Sequence, residues 1–131
     1  MTYLADTDVL ANWLRGREED VLLLSSLSSD GLAISLITYG EIYDGIFSGH
    51  NTTANKAAFE QFLRWIDVLP LNRQIMQRFA RIRGRLRRAG QIISDPDILI
   101  AATAIHHDLT ILTHNIRHFE RVPELKLHPR L

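Results

Sequence analysis

Three acidic residues sit directly against core-forming sequence. Asp6 ends the apolar start Tyr3-Leu4-Ala5, Glu41 opens the stretch after Ile34-Ser35-Leu36-Ile37, and Asp97 precedes Ile98-Leu99-Ile100-Ala101-Ala102. Burying an ionised carboxylate is costly unless it is paired or binds a metal. Three acids far apart in sequence can converge on one hard cation such as Mg²⁺ or Mn²⁺. Metal-dependent hydrolysis is therefore the chemistry to test.

Each acid also has structural employment to weigh. Thr38-Tyr39-Gly40-Glu41 has the spacing of a capping box, in which Glu41 reaches back to the Thr38 amide and does nothing else. In Ser94-Asp95-Pro96-Asp97, Asp95 is the expected N-cap, Pro96 the favoured first helical residue and Asp97 an acid on the positive helix end. Asp8 or Thr7 can cap a helix beginning at Val9, which leaves Asp6 with no structural task. Asp6 is the acid that structure alone explains worst.

The chain has 131 residues, 46% of them hydrophobic, which is one domain, 1–131, with a core of its own. No cysteine is present, so disulfides, thiolate catalysis and Cys-based zinc sites are excluded, leaving oxygen and imidazole as ligands. No apolar run approaches the roughly 20 residues of a membrane span, and no signal-peptide pattern opens the chain, so a cytoplasmic protein is expected. Fifteen basic residues balance fifteen acidic ones, yet seven arginines crowd the acid-free segment from Arg73 to Arg88. At 3.6 residues per turn, Ile75, Phe79, Ile82 and Leu86 form an apolar stripe. Arg78, Arg81, Arg85 and Arg88 line one flank, and Arg83 and Arg87 the other. That pattern suits a solvated amphipathic helix or a phosphate-contacting edge, since arginine forks match phosphate oxygens.

Short runs of Leu, Ile and Val alternate with longer helical patterns, which predicts an α/β fold with a mostly parallel sheet of four to five strands. Strands are expected at 3–6, 32–36, 68–69 and 110–113, and helices at 9–14, 20–27, 39–47, 52–66, 73–89 and 96–107. The tail after Pro123 is expected to be loosely tied. In such sheets ligands bind at the carboxyl ends of the strands, where helix N-termini also point. Asp6, Glu41, Asp97 and the Thr113-His114-Asn115 turn should therefore share one edge.

These residues resemble a family, the PIN-domain nucleases, and within it the VapC toxins of toxin–antitoxin pairs. The resemblance spans nearly the whole chain. It is carried by Leu4-Ala5-Asp6-Thr7-Asp8, by Ser35 through Thr38 to Glu41, by Asp97 through Ala102, by Leu109-Thr110-Ile111-Leu112-Thr113 and by Asn115-Ile116-Arg117-His118-Phe119. It implies a metal-dependent endoribonuclease in which Asp6, Glu41 and Asp97 bind Mg²⁺ or Mn²⁺, with an RNA substrate, a cognate antitoxin and a homodimeric or higher assembly. Many relatives carry a further acid where this chain has His118. Asn115 is then a neutral supporting group at the site, and Thr7 and Thr113 orient carboxylates or water. His106, His107, His114 and His118 read as partly exposed surface histidines.

Trp65, beside Phe62 and Ile66, is expected in the core, whereas Tyr43 and Phe47, four residues apart, are expected to form an exposed patch for a partner. Two rival classes remain. Asp6-Thr7-Asp8 also resembles the opening of haloacid-dehalogenase-like phosphatases, although those place a lysine and an acidic pair after the threonine, and here Asp95 and Asp97 precede Thr113. The non-enzymatic rival is an RNA- or protein-binding module of the same fold.

Overall fold

Leu32-Ala33-Ile34-Ser35 offers no polar face to water, and all four positions are buried, as a strand covered on both sides requires. In the computed structural model, which describes residues 1–129, this segment is β2 (Leu32–Ser35). It lies in one parallel sheet with β1 (Tyr3–Ala5), β3 (Asp67–Leu69), β4 (Thr110–Leu112) and β5 (Lys126–Leu127). The strand order is β3-β2-β1-β4-β5. Parallel neighbours need crossover connections, and helices supply them. α1 (Thr7–Leu14) and α2 (Glu18–Leu27) join β1 to β2, and α3 (Leu36–Ser48) and α4 (Thr52–Phe62) join β2 to β3. α5 (Arg73–Arg88) and α6 (Asp95–His106) join β3 to β4, and the short α7 (Ile116–Phe119) precedes β5.

Side chains alternate across a strand, and that alternation splits the interior into two layers. Leu4, Ala33 and Ile111 point into one cluster with Ile75, Ile82 and Leu86 of α5 and Ile98 and Ile100 of α6. Ala5, Ile34 and Leu112 point into the other, with Val9 and Leu10 of α1, Leu24 of α2, Ile42 and Ile46 of α3 and Phe59 of α4. Each fully buried Leu or Ile contributes roughly 1.5–3 kcal/mol. At the turn before β2, Gly31 has φ +92° and a Cβ there would lie 2.8 Å from the Met1 Cα. Only glycine lets the chain start pass that close, where Thr2 and Tyr3 donate to the Gly31 carbonyl.

Several local expectations give way. Ser35, fully buried at the end of β2, accepts from the Ile37 and Thr38 amides at 3.0 and 3.2 Å. It therefore caps α3, which begins at Leu36 rather than 39, and Thr38 and Glu41 form no capping box. Ser94 caps α6, accepting from the Asp97 amide at 3.3 Å, so Asp95 is the first helical residue and not the cap. Asp6 is itself the N-cap of α1, with its Oδ1 accepting from the Thr7 amide at 2.8 Å. α4 ends at Phe62, so Trp65 leaves the apolar stripe that placed it in the core and is 82% exposed. The tail after Pro123 is held by β5, paired Thr110 to Lys126 and Ile111 to Leu127, and by Val122, 1% exposed. Residues 130 and 131 of that tail lie outside the described residues.

Candidate functional site

β1 and β4 are neighbours, and the chain runs away from them in opposite directions, so their carboxyl ends flank a switch point where open α/β sheets leave a crevice. Asp6 follows the last residue of β1 and Thr113 the last of β4. The Asp6 amide donates to the Leu112 carbonyl at 2.9 Å, extending the ladder by one bond and fixing the two residues side by side. Thr113 Oγ1 donates to Asp6 Oδ2 at 2.7 Å and accepts from the Asn115 amide at 2.9 Å. Asp6 is 4% exposed.

Burial is the main reason that the Asp6 carboxyl is pushed from 3.8 up to about 8, with Asp8 adding to it, the Thr113 and Thr7 hydrogen bonds opposing it and Asp97 raising it further. Asp97 and Asp8 thus act electrostatically on Asp6. Asp8, on the first turn of α1, accepts through Oδ2 from the His114 amide at 3.1 Å. Its Oδ1 is buried with no hydrogen-bond partner among the described residues.

Asp97 sits on the first turn of α6, its side chain 20% exposed, with Oδ2 3.5 Å from His118 Nδ1. The same nitrogen accepts from Asn115 Nδ2 at 2.7 Å, so Asn115 holds the His118 ring beside Asp97. Glu41 stands on α3 at the mouth, where Thr7 Oγ1 donates to its Oε1 at 2.6 Å and lies 3.0 Å from Thr38 Oγ1. The structure thus gathers Asp6, Asp97 and Asn115 around the β1–β4 end, and the Thr7 hydroxyl joins Glu41 to the residue next to Asp6. It does not close them into a cage: among the described residues no three His, Asp or Glu side chains stand ready to hold a metal. Mg²⁺ does not require such a cage, because it keeps several waters and takes one or two carboxylates with substrate phosphates. The all-oxygen donor set, the proton retained on Asp6 and the orphaned Asp8 Oδ1 all fit a hard divalent cation, which reverses the local preference for protonated acids.

The arginines divide differently from their flanks on the wheel. Arg85 forms a two-point pair with Glu124, one contact at 2.8 Å, and the Arg85 hydrogen bond is the main cause, with Arg78 contributing, that holds the Glu124 carboxyl below its usual range. Arg81 and Arg88 are exposed. Arg83, from the other flank, reaches Asp95 Oδ1 at 2.8 Å, two residues from Asp97. Lys126 pairs with Asp108 at 2.8 Å beside the amino end of β4, at the opposite edge from Asp6, so it cannot serve as the lysine of a dehalogenase-like phosphatase.

One contact has no sequence signature. His114 Nε2 pairs with Asp20 of α2, which is 1% exposed. Asp20 sits in the acidic run Glu18-Glu19-Asp20, which reads as a first-turn dipole cluster, and nothing in that run distinguishes the buried member.

A family model described as PIN domain matches residues 3–125. The curated relatives include "Ribonuclease VapC1" of Haemophilus influenzae strain R2866, 29% identical over 128 residues and covering 96% of each chain. Among solved structures, VapBC2 from Rickettsia felis bound to a DNA fragment from their promoter superposes with a TM-score of 0.89 at 26% identity, covering 98% of each chain. A toxin–antitoxin complex from Klebsiella pneumoniae superposes with a TM-score of 0.77 at 26% identity, covering 99% of this chain and 98% of the other.

Proposed function

The chain belongs to the PIN domain family, and on that premise we propose that it is a metal-dependent endoribonuclease acting as the toxin of a toxin–antitoxin pair. The reaction is hydrolysis of an RNA phosphodiester by in-line attack of water. Asp6 and Asp97 would hold Mg²⁺ or Mn²⁺, with Glu41 reaching it through water. When bound, such an ion stabilises charge on the phosphoryl oxygens and lowers the pKa of water. Thr113 fixes the Asp6 carboxylate, Thr7 fixes Glu41, and Asn115 holds the His118 ring beside Asp97. Glu41, the exposed carboxylate of the three, would bind through water or help to take the proton of the attacking water. Arg78, Arg81, Arg85 and Arg88 stay in the proposal as an RNA-contacting flank, with Arg81 and Arg88 the members not engaged by Glu124.

The observation that carries this reading is Asp6, a carboxyl 4% exposed at a strand end, held by Thr113 and the Thr7 amide with Asp8 and Asp97 close enough to act on it. The partners follow from what the chain is similar to: relatives named ribonucleases and a neighbour that is a toxin–antitoxin complex. We place the antitoxin and a second copy of the chain on the exposed aromatics Phe47, stacked at 5.6 Å on a Tyr43 half-buried against the core, and Trp65. No helix among the described residues is long and apolar enough to cross a membrane; the location we propose is cytoplasmic.

The deciding experiment incubates antitoxin-free protein with end-labelled RNA in Mg²⁺, Mn²⁺ or EDTA beside an Asp97→Asn control. Discrete metal-dependent cleavage lost in the variant is expected. Equal cleavage by the variant, or none under any condition, overturns the reading and favours a binding module.

A further inference from the structure

A groove of about 570 Å³ runs from Thr7 and Glu41 between α1, α3 and the start of α4, past Gly45, to Arg15, Asn51 and Asn55. Its size is that of an ordinary ligand site, and it opens directly from the carboxylates. Three features of its wall, Gly45, the Asn51–Asn55 pair and Arg15, bear on what it can hold. Gly45 lies inside α3, where glycine is less favourable than alanine, yet a Cβ there would meet nothing within 4 Å. No packing demands a glycine; what its missing side chain preserves is the width of the groove.

Asn51 occupies the N-cap position of α4 in the left-handed region, φ 52° and ψ 37°, and its side chain makes no capping bond. Asn55, one turn on, is half-buried, and its backbone amide donates to the Asn51 carbonyl at 3.0 Å. Neither side-chain amide has a hydrogen-bond partner among the described residues. Arg15 makes one long contact, 3.4 Å to Asn12 Oδ1, and otherwise offers its fork to the groove.

We propose that this groove is a base-reading subsite for one unpaired nucleotide beside the scissile phosphate of RNA. Asn51 and Asn55 read the base edge, Arg15 holds the neighbouring phosphate, and Gly45 leaves room for the ring. Side-chain amides carry a donor and an acceptor together, the arrangement that pairs two-point with a base edge. Sequence-specific recognition of RNA relies on unstacked bases whose edges are free, and the guanidinium fork matches phosphate. The proposal rests on the ribonuclease reading and adds to it which residues choose the cut.

The test uses single-stranded RNA randomised around the cleaved bond, cut by wild type, Asn51→Gly, Asn55→Ala and Gly45→Leu with Mn²⁺, with the product ends sequenced. Asn51→Gly keeps the left-handed backbone and removes only the amide, and Asn55→Ala favours the helix, so both variants retain the fold. In parallel, labelled oligo-A, oligo-C, oligo-G and oligo-U are titrated into the Asp97→Asn protein with and without each change. Wild type is expected to prefer one base at a fixed distance from the cut. Either asparagine variant should lower that preference about tenfold, the scale of one two-point contact, and Gly45→Leu should weaken all substrates together. The same base preference in every variant, or no preference in wild type, overturns the subsite and leaves the nuclease standing. An unchanged RNA profile with lost inhibition by a co-expressed antitoxin assigns the groove to a protein segment and also overturns it. Wild type that neither cuts nor binds RNA overturns the ribonuclease reading and the subsite together.

Discussion

At neutral pH the Asp6 carboxyl of the metal-free protein is mostly protonated, since burial, Asp8 and Asp97 raise it from 3.8 to about 8 against the pull of Thr113 and Thr7. The native state then holds a proton that the unfolded chain releases. Its contribution to stability is present in full below about pH 4, is lost as pH rises, and levels off above about 8. Each pH unit across that window removes about 1.4 kcal/mol at most. Thermal melts in EDTA should therefore show the melting temperature falling from pH 5 to pH 8, and Asp6→Asn should flatten the slope and melt several degrees higher at pH 8. A lower melting point for the variant at pH 8 would sink this account. Thr113→Val removes the 2.7 Å donor to Asp6 and the 2.9 Å acceptor of the Asn115 amide. It should cost about 1.5–3 kcal/mol in urea unfolding at a pH where Asp6 is ionised, and cleavage should fall with it.

The elements carry the site through their ends. α3 presents Glu41 because Ser35 ends β2 and caps the helix in one step. Ser35→Ala should lower stability by about 1 kcal/mol, and since the lost cap frees the turn below Glu41, kcat should drop more than the RNA KM rises. Urea melts and steady-state cleavage check the two halves separately. The β4–α7 turn is tied from two sides: the His114 amide to Asp8, and the His114 ring to buried Asp20 on α2. Asp20→Ala removes the contact between that ring and α2 and should cost about 1–3 kcal/mol. Hydrogen exchange should rise in the 113–115 amides before it rises in α5. Unchanged exchange there would mean that Asp20 supports α2 alone.

For the molecule as a whole, acids gathered near one sheet edge oppose one another, and a bound cation would relieve that opposition. Saturating Mn²⁺ at about a hundred times its dissociation constant should stabilise the fold by about 2.7 kcal/mol, and Asp97→Asn should abolish most of that gain; identical melts with and without metal would refute a metal site. The amphipathic pattern of α5, the buried strands and the expectation that Asp6, Asp97 and the Thr113 turn meet could be read along the chain, because periodicity and strand-end placement are local properties with global consequences. The exposure of Trp65, the burial of Asp20, the pairing of Arg85 with Glu124 and of Arg83 with Asp95, and β5 could not. Each depends on where a helix stops or on which distant segment lies opposite, and single-residue patterns do not encode that. Caps shifted for a related reason, since Ser35 takes the Thr38 amide to which Glu41 would reach back and Ser94 takes the Asp97 amide within reach of Asp95, and the chain entering each helix decides between them. Sequence alone therefore determined the α/β class and the residue types of the candidate site. The tertiary structure decided which acid is buried, which amides are left free to face the groove, and how each carboxylate is held, because desolvation and hydrogen-bond partners exist only once distant segments are packed together.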